Sequence, residues 1–259
     1  MRPIGIFDSG VGGLTVLAHV RAALPGADLL YVADSGHAPY GDKPAGFIAA
    51  RACAVAEFLV GRDAAALVVA CNTATAAAIA DLRARFDLPI VGMEPAVKPA
   101  AEATRSGVIG VLATGGTLES DRFAELVARF GSRARVIVQP CPGLVERVEA
   151  GELESPATRA LLEGYVAPLL AEGADTLVLG CTHYPFLVPL LREMIDETVH
   201  LIETGEAVAR QLSRRLAETD FSPAAGGGTE RFFTSGDPAR LAALLPRLWG
   251  RAAPVETIG

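Results

Sequence analysis

The sequence predicts an α/β protein of two similar lobes, each a mainly parallel sheet flanked by helices, with an active site in the cleft between them. Short apolar, β-branched runs alternate with helix-length stretches along the whole chain, which is the pattern of parallel sheets built from strand–crossover–strand units. Two kinds of segment also recur. Leu67-Val-Val-Ala-Cys71-Asn-Thr73 shares its design with Leu177-Val-Leu-Gly-Cys181-Thr-His183, 110 positions later. Ile4-Gly-Ile-Phe-Asp-Ser-Gly-Val-Gly-Gly-Leu14 is echoed by Ile109-Gly-Val-Leu-Ala-Thr-Gly-Gly-Thr-Leu118, 105 positions later. An internal duplication accounts for both echoes. Each lobe offers one cysteine to a shared cleft; with a boundary near Pro99 and a return of the chain to the first lobe at Glu203-Thr-Gly205, the first lobe is residues 1–96 plus 206–259 and the second residues 97–205.

In chain order, Ile4 to Phe7 is a short buried strand, and the glycines after Asp8-Ser9 allow a tight turn into a helix from Leu14 to Leu24, stopped by Pro25-Gly26. That turn lacks the Lys-Ser/Thr of a nucleotide loop. Asp8, at a strand's carboxyl end, either caps the helix or faces a ligand. Leu29 to Val32 is the second strand. The turn-rich loop after it places Pro39-Tyr40-Gly41 as a pocket wall and leaves Asp34 and His37 solvated. Phe47 to Arg62 reads as an amphipathic helix with Cys53 on its core face, and Ala74 to Phe86 as an alanine-rich helix ending before Pro89. Pro89 to Pro99 is a strand and then a proline-punctuated crossover.

Val108 to Leu112 opens the second lobe, with Thr114 and Thr117 beside Gly115-Gly116. Arg135 to Val138 is a strand, and a helical segment through Glu149 stops at Gly151; Cys141, between prolines, reads as structural. Pro156 to Glu172 is a helix feeding the Cys181 strand, Leu187 to Ile195 another helix, and Val199 to Ile202 a strand. Glu203-Thr-Gly205 starts a helix to Ala217. Pro223 to Gly228 is a loop, Arg231 to Thr234 an edge strand, and Asp237-Pro238 the cap and first residue of the last helix.

Composition excludes several classes of function. At 259 residues and 51% hydrophobic, the chain can bury a large core. Its net charge of −7, without a basic run, argues against nucleic acid as the main partner. A strand begins almost at once without a signal sequence, and polar residues or prolines interrupt every apolar stretch, so neither export nor a membrane partner is expected. Cys53, Cys71, Cys141 and Cys181 lack a framework spacing, which places the protein in the reducing cytoplasm. Neither CxxC nor zinc spacing occurs, and no metal site is expected.

Cys71 and Cys181 carry the chemistry. Ligands of open α/β sheets bind outside the carboxyl ends of the strands, where both cysteines fall. A thiol near an imidazole such as His183 is a tunable acid/base, since its pKa responds to such neighbours. Two such groups from opposite lobes can remove a proton from one face of a carbon and deliver one to the other.

The motifs IGIFDSGVGGLTVL, YVADSGHAPYGDK, VVACNTATAAAI, GMEPAVKPA, LVLGCTHYP and IETGEAVA are similar to those of bacterial glutamate racemases, from Gly5 almost to the last residue. The resemblance implies a cofactor-independent amino-acid racemase, a homodimer supplying D-glutamate for peptidoglycan. It assigns the proton of D-glutamate to Cys71, assisted by Asp8, and that of L-glutamate to Cys181, assisted by His183. By the same resemblance Ser9, Tyr40, Gly41, Asn72, Thr73, Thr114, Thr117 and Thr182 hold the substrate, and Glu149 is the acidic residue beside the cleft. The chain departs from the family at Gly36-His37-Ala38, where relatives often carry Arg or Lys, and at Pro142-Gly-Leu-Val-Glu146. It begins without the extension that precedes the first strand in relatives activated by peptidoglycan precursors. A racemase of aspartate or a hydantoin, and a redox sensor using the same thiols, are the competing readings; Asp8-Ser9 favours glutamate.

One prediction belongs to the sequence. No Lys stands in a pyridoxal-phosphate setting, so racemisation should survive exhaustive dialysis against a chelator and a carbonyl reagent. Loss that only pyridoxal phosphate or a metal restored would overturn the two-thiol chemistry.

Overall fold

The computed structural model describes residues 2–131, 133–224 and 226–258. The chain runs through β1 (Ile4–Asp8), α1 (Leu14–Ala23), β2 (Leu29–Ala33), α2 (Ala45–Val60), β3 (Ala66–Val69), α3 (Asn72–Arg85) and β4 (Ile90–Val91). It continues with α4 (Val97–Ala103), β5 (Val108–Ala113), α5 (Gly115–Leu118), α6 (Asp121–Phe130), β6 (Arg135–Pro140), α7 (Leu144–Glu149), α8 (Pro156–Ala171), β7 (Thr176–Leu179), α9 (Val188–Arg192) and β8 (His200–Ile202). The last part is α10 (Gly205–Leu216), β9 (Glu230–Thr234), α11 (Pro238–Leu248) and β10 (Val255–Thr257).

Two parallel sheets result. One has the order β10-β9-β2-β1-β3-β4 and the other β6-β5-β7-β8. The segments β2-β1-β3-β4 and β6-β5-β7-β8 repeat one strand order, so the sequence echo is also a topological one. Strands β1, β2, β3 and β7 are buried at every residue, as strands covered by helices on both faces must be. One core cluster fills the α2–α3 face of the first sheet and another the α4–α6 face of the second. A third joins the remaining faces, from Ile4 and Leu17 to Leu144 and Leu177, and is continuous between the sheets.

The structure corrects several sequence expectations. Strand β9 is interior, because β10 pairs beyond it; three residues carry no periodicity that would betray a strand. The crossover after β4 contains helix α4. Its Pro99 is the third helical residue, where no intrahelical N–H is yet required. Helix α6 is capped by Ser120, whose Oγ accepts from Phe123 N at 3.2 Å. Cys53 is half-buried at the rim of its core cluster. The helix expected from Leu187 to Ile195 is the shorter α9, entered through a 3₁₀ turn at Tyr184–Leu187. Asp237 and Pro238 cap and open α11 as expected, with Asp237 Oδ1 accepting from Ala239 N at 2.8 Å. Among the described residues no helix is long and apolar enough to cross a membrane.

Phe233 in β9 is fully buried and meets Phe58 of α2 edge to face, ring centroids 5.1 Å apart. Phe233→Ala should therefore cost roughly 3–5 kcal/mol, read from urea unfolding. A loss below about 1 kcal/mol would show that the C-terminal strands are peripheral to the first sheet's core.

Candidate active site

In each sheet the strand order reverses beside the first strand of the repeat, which opens a crevice at the carboxyl ends. The two crevices face each other. Cys71 stands two residues past the end of β3 and Cys181 two past the end of β7, equivalent places in the repeated order. One cavity is lined by Ser9, Tyr40, Gly41, Cys71, Asn72 and Thr73 from the first sheet's loops and by Thr114, Thr117, Cys181, Thr182 and His183 from the second's. Pro39, expected with Tyr40 and Gly41 as a pocket wall, lines it too, and Val145 and Gly180, which sequence reasoning did not select, complete it. Apolar or featureless residues carry no chemical signal that would have singled them out. The free volume is about 10 Å³, room for roughly one water. Asp8 and Glu149 are not in the lining; each stands behind one cysteine's neighbours.

Cys71 is the N-cap of α3, its Sγ accepting from Ala74 N at 3.4 Å. It lies 3.8 Å from Ser9 Oγ, which lies 3.4 Å from Asp8 Oδ1. Asp8 therefore reaches the thiol through Ser9. Its other oxygen accepts from Gly13 N at 2.7 Å, so the two sequence readings of Asp8, helix cap and site residue, describe one side chain. Thr182 Oγ1 also donates to Asp8, at 3.3 Å. Burial raises the Asp8 carboxyl above its ordinary value, against the lowering pull of His183 and Gly13 N–H. Burial, and then the Asp8 charge, push the Cys71 thiol well up, so Cys71 rests as a thiol.

Cys181 has a different neighbour. His183 Nδ1 lies 3.6 Å from its Sγ, and Nε2 lies 2.7 Å from Glu149 Oε1. Burial alone would lower the imidazole pKa, but hydrogen bonds to Cys181 and Glu149 outweigh it and hold it well above the ordinary value. His183 is thus an imidazolium at neutral pH, donating from both ring nitrogens. Glu149 Oε1 also accepts from Val11 N at 2.7 Å. This approach requires glycine at two places. A Cβ on Gly10 would stand 1.8 Å from Glu149 Oε1, and one on Gly12 would stand 2.4 Å from His183 Nδ1.

The rest of the cavity is polar but not basic: among the described residues, none of its lining is Lys or Arg. Thr73, Thr114 and Thr117 form a triangle of hydroxyls across the cleft, with Oγ1 separations of 2.9, 3.1 and 3.1 Å. Asn72 is buried at the start of α3, and neither atom of its amide has a hydrogen-bond partner among the described residues. Hydroxyls, an unpaired amide, a helix N-terminus and an imidazolium together suit a carboxylate ligand. Tyr40 contributes its ring and main chain only, because its hydroxyl donates to Asp34 Oδ2 at 2.5 Å. Asp34, expected in solvent, is fully buried, and His37 is bonded to it at 3.1 Å. A charged loop residue reads as solvated; its counter-ion, Arg51, lies on the next helix and is invisible to local pattern. Cys141 does not line the cavity, and burial pushes its thiol up to about 12. No cluster of three or more His, Cys, Asp or Glu fit to hold a metal occurs among the described residues.

Residues 15–212 match the family described as Asp/Glu/Hydantoin racemase. The chain is 61% identical over 255 residues to the glutamate racemase of Ectopseudomonas mendocina, covering 98% of this chain and 97% of that protein. It superposes on the glutamate racemase of Bacillus anthracis with a TM-score of 0.88 at 32% identity, covering 100% and 97% of the two chains. For the Escherichia coli glutamate racemase, solved with L-glutamate and the activator UDP-MurNAc-Ala, the TM-score is 0.87 at 34% identity, covering 99% and 98%.

Glu149→Gln removes the carboxylate that holds the His183 proton, and the imidazole pKa should fall, as read by NMR of the ring. Because the folded value lies above the unfolded one of about 6.5, this stabilisation is complete below that pH and is lost as pH rises through the folded value. The stability gap between wild type and variant should be widest in mild acid and shrink in alkali. A gap independent of pH, with unchanged ring titration, would contradict this account.

Proposed function

The chain belongs to the Asp/Glu/Hydantoin racemase family, as a glutamate racemase, and we propose that it interconverts L- and D-glutamate by proton transfer between two cysteines. The observation that carries this reading is the pair itself: one thiol from each lobe, at equivalent positions of a repeated topology, lining one cavity. In the L to D direction the Cys181 thiolate takes the α-proton, and the Cys71 thiol delivers its own to the opposite face. The reverse direction exchanges the roles. His183, as imidazolium, stabilises the thiolate of Cys181, and Asp8 receives or returns the Cys71 proton through Ser9. The resting thiol at Cys71 matches the L to D direction, so the D to L direction must first move that proton.

The substrate's two carboxylates pair with the threonine triangle, Thr182, the Asn72 amide and the N-terminus of α3. An unpaired buried amide costs about 1–3 kcal/mol, which a bound carboxylate and ammonium would relieve. Such donors, held in place by the fold, meet the charge that grows on the α-carboxylate as the proton leaves. The L-glutamate held by the Escherichia coli relative supports glutamate as the ligand. With room for about one water among its lining side chains, the cavity must widen to admit glutamate. Supply of D-glutamate for peptidoglycan is the role we assign, and in this reading the reaction needs no cofactor.

Incubated with L-glutamate in heavy water, the protein should yield D-glutamate carrying deuterium at the α-carbon. Cys71→Ser and Cys181→Ser should each lower racemisation by roughly 10²–10⁴, because a hydroxyl is too weak an acid to match. Each should retain exchange of one enantiomer, with opposite preference. Cys53→Ser and Cys141→Ser should stay near wild type. The pH profile of kcat/KM should be bell-shaped, its limbs belonging to the coupled pair. Full activity in either active-site serine variant would end the two-base reading.

A further inference from the structure

The substrate cavity's wall at Pro39-Tyr40-Gly41 is suspended between two fixed points. On the far side, Gly41 O accepts from Gly116 N at 3.1 Å, and a Cβ on Gly41 would come within 2.9 Å of Thr114 Cβ. The segment therefore rests against α5 with no slack. On the near side, everything converges on the Asp34 carboxylate, which follows β2 directly and has no exposed surface. Its Oδ2 accepts from Tyr40 OH at 2.5 Å and Arg51 Nε at 3.1 Å; its Oδ1 accepts from Arg51 Nη2 at 2.8 Å and lies 3.1 Å from His37 Nδ1. A buried carboxylate is tolerated only when its lone pairs are bound, and this one is bound at both oxygens. Neither Asp34 nor Arg51 lines the cavity.

We propose that Asp34 and Arg51 form a positioning pair that fixes the height of the Tyr40–Gly41 main chain against the substrate. The planar guanidinium holds the carboxylate in two-point register. The carboxylate in turn holds the tyrosine hydroxyl on the side away from the cavity, which presents the ring and the main chain of the segment inward. The pair never touches the reacting atoms. Its effect is on how firmly the wall holds glutamate, in the ground state and the transition state alike. The inference rests on reading this cavity as the glutamate site.

The test is steady-state kinetics of Asp34→Asn, Arg51→Lys and Tyr40→Phe, with thermal melting recorded for each. Asp34→Asn turns an amide NH₂ toward the guanidinium and breaks the two-point register. KM for both enantiomers should rise about tenfold while kcat changes by less than about threefold, because contacts shared by the ground and transition states are loosened and the acid/base groups are untouched. The limbs of the pH profile should stay in place. Arg51→Lys keeps the charge and one donor and should be intermediate. Tyr40→Phe removes only the tether and should raise KM in the same sense, which keeps the test decisive if Asp34→Asn does not fold. A purely structural pair would lower the melting temperature and leave the folded fraction's KM within about twofold of wild type; that result overturns the proposal. So does a fall in kcat that matches the fall in kcat/KM, or a displaced pH limb. If the wild type racemises glutamate and Cys71→Ser does not, a normal KM in these variants defeats this inference alone. If the wild type fails on glutamate, the reading of the cavity itself fails.

Discussion

A single oxygen, Glu149 Oε1, carries the geometry of this site. It receives Nε2–H of His183 at 2.7 Å and the main-chain N–H of Val11 at 2.7 Å. The first belongs to the loop after β7 and the second to the turn after β1, so one carboxylate joins the loops of both sheets at the cavity. The His183 side chain is 2% exposed and that of Glu149 13%. Removing one partner of such a buried pair typically costs about 3–5 kcal/mol, a large share of a domain's stability. The rest follows from this contact. The imidazolium keeps its proton because Glu149 is there, its other nitrogen faces Cys181 because the first is held, and the glycine-rich turn must lack side chains for the approach to occur at all.

The two thiols differ although the topology repeats. Cys71 faces a hydroxyl and, through it, a buried carboxylate; Cys181 faces an imidazolium. The negative neighbour holds the proton on the Cys71 sulfur. In the proposed reaction this asymmetry gives the two cysteines different surroundings for their opposite roles. Thr182 Oγ1 bonds Asp8, and Thr15 Oγ1 bonds Thr182 O at 3.2 Å, so the neighbourhoods of the two thiols are also mechanically linked.

Much of this was legible in the chain. The repeated strand-Cys segments, the glycine-rich turns and the alternation of apolar runs with helices determined a two-lobed parallel α/β fold, because burial on both sheet faces imposes apolar strands and the crossovers impose their spacing. The polar residues after the strands marked the cavity for the same reason: strand ends are where an open α/β sheet leaves room. Asp8 and His183 stood out by their positions after the strands, and Glu149 only through the resemblance to glutamate racemases.

Tertiary structure alone decided how those residues act. Glu149 was visible as an acid beside the cleft, but its partners, Val11 and His183, lie 138 and 34 residues away. Asp34 reads as a solvated loop charge until Arg51 is folded against it. Strand β10 is too short to show a period and exists because β9 offers it a free edge. In each case the deciding interaction is long-range, and a charge or a three-residue run has no local signature of the partner it will meet. Apolar burial follows a pattern written along the chain; the pairing of buried charges depends on which loops the packed sheets bring together.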